Sequence, residues 1–244
     1  MFTVVIAGSY LLLLLISVFL DPKRKRNVKR FSIFQLLLFS TLKLLLVIGV
    51  VIAFALFYQK DMPGTLGVSD FSFSVKSLGL GVLTAVGFIA IYIIWQLVVS
   101  RFAAKREDTR DADSGIVGSL PGRWFPLVGV FAVISVQAGL LEEIFFRAIM
   151  QSHISYYLEA HWAAVIAGVL FGVAHFYQGW SGIAGTSIMG VWLGLSFAFT
   201  GNILVPIFGH VLGDFSCMML GARGIVNRRM IKSDRDSDTH VGGV

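Results

Sequence analysis

The sequence predicts an all-α fold, a polytopic bundle of about seven transmembrane helices. Composition is the first observation behind this. Hydrophobic residues make up 56% of the 244 and charged residues only 14%, where soluble domains carry roughly 25% charged residues. A soluble globule of this length has too little interior for so much apolar surface. The second is that the apolar residues fall in runs near the ~20 residues that a spanning helix needs. The third is the distribution of basic residues between the runs. Disorder requires low hydrophobicity and high charge. A disulfide scaffold requires paired cysteines, and Cys217 is the single one.

The first run is Thr3–Leu20, ending at Asp21-Pro22. No basic residue precedes it and no small-residue cleavage site follows, which argues against a removed signal peptide. A basic segment, Lys23 to Arg30, leads to a second run over about Phe31–Tyr58, interrupted by Lys43. Its excess length places its first turns in the interface. Lys43 is expected to snorkel there. After a polar loop, a third span covers about Leu78–Val99, and a charged loop follows over Arg101–Arg123. The fourth helix opens at Trp124-Phe125-Pro126, with proline near its first turn, and stays apolar to Leu141. The fifth covers about His161–Phe176, the sixth Ile183–Thr200 and the seventh Ile203–Leu220. The chain thus divides into N-terminal spans and loops (1–123), a core of four helices (124–220) and a polar, mobile cytoplasmic tail (221–244).

Seven spans put residues 21–30, 101–123 and 221–244 on one side, with six, five and five basic residues, while the opposite loops hold Lys60 and Lys76. The positive-inside rule then places the N-terminus outside and the C-terminus in the cytoplasm. The chain is expected in the plasma membrane if it is bacterial. Trp124, Trp162 and Trp180, near expected helix ends, fit interfacial anchoring. The net charge of +6 is a matter of topology, and no nucleic-acid partner is expected.

A charge at membrane depth costs roughly 3 kcal/mol on insertion scales, so such residues need partners, water or a role. They cluster in the second half. Glu143 and Arg147 are spaced i,i+4 with the acid first, the favourable order for an ion pair. Glu142 sits about 100° around the helix from them. A carboxylate taken out of water is a better proton acceptor, as a general base near neutral pH requires. The bland alternative ends the helix at Leu141 and leaves these charges at the interface. On the fifth helix, Gly168 and Gly172 form a small-residue packing face, and Phe171 and His175 are i,i+4. On the seventh, His210 and Asp214 share a face, as a self-satisfied pair or as catalytic groups. His153, His161 and His240 are read as solvated, in a loop, at a helix start and in the tail. No GxSxG elbow and no HExxH, GxxxxGK[ST] or GxGxxG pattern is present.

Glu142-Glu143-x-x-x-Arg147, Phe171-x-x-x-His175 and His210-x-x-x-Asp214 fall in that order on three helices. This resembles the CAAX-protease and bacteriocin-processing family of intramembrane endopeptidases, also called the type II CAAX prenyl endopeptidase or Abi family, over about residues 125–220. The resemblance implies that the 124–220 core is a protease. It implies that Glu142 activates a water for attack on a peptide carbonyl, that His175 holds this water, and that His210 and Asp214 stabilise the oxyanion. Glu143 and Arg147 would be the supporting ion pair, and Phe171 marks the histidine motif. Many members carry asparagine where this chain has Asp214. An ionised aspartate cannot donate to an oxyanion, so Asp214 would be protonated or would orient His210. The family also often has an eighth helix, where this chain turns polar at Gly221.

Glu142, His175 and His210 also make a two-histidine, one-carboxylate set of the kind that holds zinc with an open water position. Metal-free activation by glutamate and histidine accounts for the same residues and is preferred. Counting ~1.5 Å per residue puts Glu142 roughly 27 Å from the start of its helix, His210 roughly 10 Å from the outer end of its own, and His175 deeper. The expected site therefore lies in the outer half of the membrane. The expected function is hydrolysis of membrane-associated peptides or proteins, lipidated or not, with the bilayer as the other partner. The competing readings are a proton-coupled transporter, since buried Glu, His and Asp also build proton relays, and a non-catalytic immunity or sorting protein.

Overall fold

The structure is a computed structural model that describes Gly49 and residues 73–103 and 124–241. The expected first and second spans, Lys43, the basic segment 23–30 and most of the charged 101–123 loop lie outside the described residues. All regular elements among the described residues are helical: α1 (Val75–Ala103), α2 (Trp124–Glu143), α3 (Ala160–Ala174), α4 (Gly179–Thr200) and α5 (Leu204–Val241). Among the described residues, four stretches are long and apolar enough to cross a membrane: Val75–Phe102, Leu127–Ile154, Gly179–Thr200 and Leu204–Arg223. At 15 residues, α3 is shorter than these four.

Local chemistry sets the helix ends. Ser74 and Ser77 cap each other at the start of α1: the Ser74 amide donates to Ser77 Oγ at 2.9 Å and the Ser77 amide to Ser74 Oγ at 3.0 Å. This reciprocal pattern satisfies two amides that the helix cannot. α3 stops at Ala174, a 3-10 turn covers Phe176–Gln178, and Gly179 takes φ +80°. α4 ends at Gly201, whose φ of +65° is a left-handed cap that glycine adopts without penalty. The Asn202 side chain then accepts the Leu204 amide at 2.9 Å, opening α5.

α2 does not stop at its charged residues. It continues as a π-helix over Ile144–Gln151 and closes with a last α turn over Ser152–Ile154. The reading in which the helix ends at Leu141 with interfacial charges is therefore overturned: Glu142, Glu143 and Arg147 are all buried. The π register shows at its end, where the Ser152 amide bonds the carbonyl of Arg147, five residues back. α5 likewise runs on to Val241, where the sequence places the end of the last span at Leu220.

Small residues let the helices approach closely. A Cβ on Gly168 would run into the backbone of Val191, and one on Gly172 would lie 2.6 Å from the carbonyl oxygen of Ile183. The glycine face of α3 thus lies against α4, as its small-residue spacing predicts. Two tryptophans fasten α1 to α4. Trp95 Nε1 donates to the Ser181 carbonyl at 3.1 Å and Trp192 Nε1 to the Thr84 carbonyl at 2.9 Å, with Gly185 under Trp95 and Gly87 under Trp192. Further contacts make α2 antiparallel to α5: Gly139 meets Val211, while Leu127 and Phe131 cluster with Ala222.

Candidate active site

The site lies where the end of α2, its π continuation, the C-terminal end of α3 and the first turns of α5 meet. With ~1.5 Å per residue in an α-helix, Glu142 stands roughly 22 Å from Leu127, the start of its span, which runs on past it to Ile154.

Glu143 is at the centre. Its side chain is 0% exposed, and its two oxygens serve different partners. Arg147 Nε donates to Oε2 at 2.8 Å, the i,i+4 pair that the spacing predicts. His210 Nδ1 lies 2.8 Å from Oε1, a contact between residues 67 apart in sequence. Because Glu143 is already in ion-pair contact with Arg147, its carboxylate acts as acceptor and Nδ1 of His210 as donor. Phe171 covers the guanidinium, with Arg147 Cζ 5.5 Å from the ring centroid, the geometry of a cation–π contact. Nη1 and Nη2 of Arg147 have no hydrogen-bond partner among the described residues, so the ring and Glu143 are its principal compensation.

His210 is held on two sides as well. Phe88 stacks on it at 5.8 Å and 27°, and Phe171 meets it edge-on at 5.9 Å and 77°. Phe88 comes from α1, outside the motif-bearing segment, and no sequence signal singled it out.

His175 sits just past the end of α3 and is half-buried. Its Nδ1 lies 2.8 Å from the carbonyl oxygen of Phe171. A carbonyl only accepts, so Nδ1 carries a proton, and in the neutral ring Nε2 presents a lone pair. Nε2 lies 3.9 Å from Glu142 Oε2. Phe171 therefore links three groups through its carbonyl and its ring, which sits 4.7 Å from the His175 ring. Asp214 is half-buried one turn after His210, within electrostatic reach of His210 and of Tyr92 on α1.

Two of the histidines read as solvated are described. His161 is exposed at the start of α3, 3.4 Å from Glu159. His153 differs from expectation: it lies in the last turn of α2, half-buried, with its ring 5.4 Å from that of Tyr157. His240 falls where only the backbone is described.

Among the described residues, no group of three or more His, Cys, Asp or Glu side chains comes together in an arrangement that could hold a metal ion. In the set Glu142, His175 and His210, both histidine Nδ1 atoms are engaged elsewhere, by the Phe171 carbonyl and by Glu143. That leaves each Nε2 as the ring nitrogen turned to the site, the nitrogen through which a histidine so held would ligate a metal; no step below passes through one.

Comparison with known proteins bears on the same segment. Residues 124–216 match the family model described as type II CAAX prenyl endopeptidase Rce1-like. The match includes Glu142, Glu143, Arg147, Phe171, His175, His210 and Asp214. No curated protein and no solved structure matches the chain. Over residues 124–216, the chain is similar to the Rce1-like family of type II CAAX prenyl endopeptidases.

Proposed function

We propose that the protein is an intramembrane endopeptidase that hydrolyses peptide bonds of membrane-associated peptides or proteins with a water activated by Glu142 and His175. The observation that carries this reading is the facing pair itself: Glu142 Oε2 and His175 Nε2, 3.9 Å apart and both largely shielded from solvent. Both atoms are acceptors. A water that donates one hydrogen to each has its lone pairs turned away from both, toward a substrate carbonyl. Glu142 takes the proton as the water attacks, as a general base, and hands it to the leaving amine when the tetrahedral intermediate collapses.

The oxyanion of that intermediate needs a donor. His210 supplies it from Nε2, which requires both ring nitrogens to hold protons while Nδ1 remains bonded to Glu143. Asp214, on the same helix face, completes this side of the site. No metal is needed for these steps. The family match over residues 124–216 supports a protein substrate, and a prenylated C-terminal tail is the candidate that the family description offers.

The test is cleavage of membrane-inserted peptides by the purified protein. Wild type should cleave, and Glu142→Gln and His175→Ala should each lose cleavage while still inserting and folding. Wild-type turnover by either variant would remove the proposed water-activating pair.

A further inference from the structure

The proposed chemistry uses Glu142, His175 and His210, and gives Glu143 no contact with a reacting atom. We infer that Glu143 is a positioning residue for His210: its carboxylate, pinned by Arg147, holds Nδ1 as a protonated nitrogen and so turns Nε2 toward the reacting carbonyl. The consequence for catalysis rests on the protease reading, whereas the protonation of Nδ1 does not.

Three features carry the inference. Each Glu143 oxygen is committed at 2.8 Å, Oε2 to Arg147 and Oε1 to His210. Because Arg147 fixes one oxygen, the other faces the histidine in a set direction. Glu143 and Arg147 are 0% exposed and the His210 side chain 4%, so bulk water does not compete for these bonds, and charge-assisted hydrogen bonds are strongest in such surroundings. Finally, Phe88 stacks on the imidazole and Phe171 closes its edge. A ring flip would present a C–H to the carboxylate inside this aromatic sleeve.

Helical spacing assigns Glu143 to Arg147 as a self-contained ion pair. The structure makes the two a relay across helices instead, from Arg147 on the π segment through Glu143 to His210 on α5. An ion pair that only neutralises itself is replaceable by apolar residues of similar volume, because both charges leave together. A relay is not.

The experiment uses the full chain in lipid nanodiscs with 15N-labelled histidine. The His210 signals are assigned against His210→Gln among the five histidines. Wild type should show a protonated His210 Nδ1. The double variant Glu143→Leu with Arg147→Met should lose that signature, and its kcat should fall roughly 10²- to 10⁴-fold at little-changed KM, the range seen when the group orienting a functional histidine is lost. Glu143→Gln with Arg147→Met keeps an amide carbonyl opposite Nδ1 and should recover part of that loss. An unprotonated Nδ1 in wild type overturns the inference, as does a folded Leu/Met variant with wild-type kcat. If wild type has no peptidase activity, the protease reading fails, while the Nδ1 signal still decides whether Glu143 holds His210.

Discussion

At the scale of single residues, the two adjacent glutamates have opposite duties, and their substitutions should separate them. Glu142→Gln keeps the shape and removes the proton acceptor, so hydrolysis should vanish while the thermal unfolding temperature in detergent is unchanged. Glu143→Gln leaves Arg147 buried without its counter-charge, which costs about 3–5 kcal/mol when one partner of a buried pair is lost. That variant should unfold at lower temperature. Equal stability of the two variants would contradict the division of labour. The Glu143–Arg147 pair was legible in the sequence because its partners are four residues apart on one helix. The Glu143–His210 bond was not, because helical spacing speaks only within an element, and it offered Asp214 as the nearer partner of His210.

At the scale of elements, the π segment and the glycine face decide where the side chains end up. Helix periodicity carries no signature of a π register inside an apolar run, so the sequence showed a helix meeting charges and not how it passed them. Burial of Glu143 and Arg147 is what lets it continue to Ile154. The glycine face was legible, since small residues four apart are a direct statement about helix approach. Gly168→Leu should therefore be costly. The side chain meets the backbone of Val191, which cannot yield as a side-chain tip can, and overpacking costs about 1–3 kcal/mol or more. Separation of α3 from α4 would move His175 away from Glu142, so activity should fall together with stability. A stable Gly168→Leu variant with normal turnover would show that this interface does not position the site.

At the scale of the whole molecule, the membrane character was plain from composition and run length, and four long apolar helices among the described residues carry it. The short α3 was legible too, since the apolar run over about His161–Phe176 matches the helix Ala160–Ala174. Orientation rests on the asymmetry of basic residues. Single cysteines at Tyr156 and Arg223, in a Cys217→Ser background, should react with an impermeant thiol reagent from opposite sides, Arg223 from the cytoplasm; labelling from one side only would contradict the antiparallel arrangement of α2 and α5. Exhaustive chelation should leave cleavage intact, with no stoichiometric metal by elemental analysis. Loss of activity that only zinc restores would make Glu142, His175 and His210 ligands instead. The central claim is hydrolysis by the Glu142–His175 pair, and the most direct measurement is single-turnover cleavage of a membrane-inserted peptide in H₂18O by wild type and by Glu142→Gln. The account predicts one 18O atom in the new carboxylate of the wild-type product and no product from the variant. Cleavage by Glu142→Gln at the wild-type rate, with the same label, would contradict it.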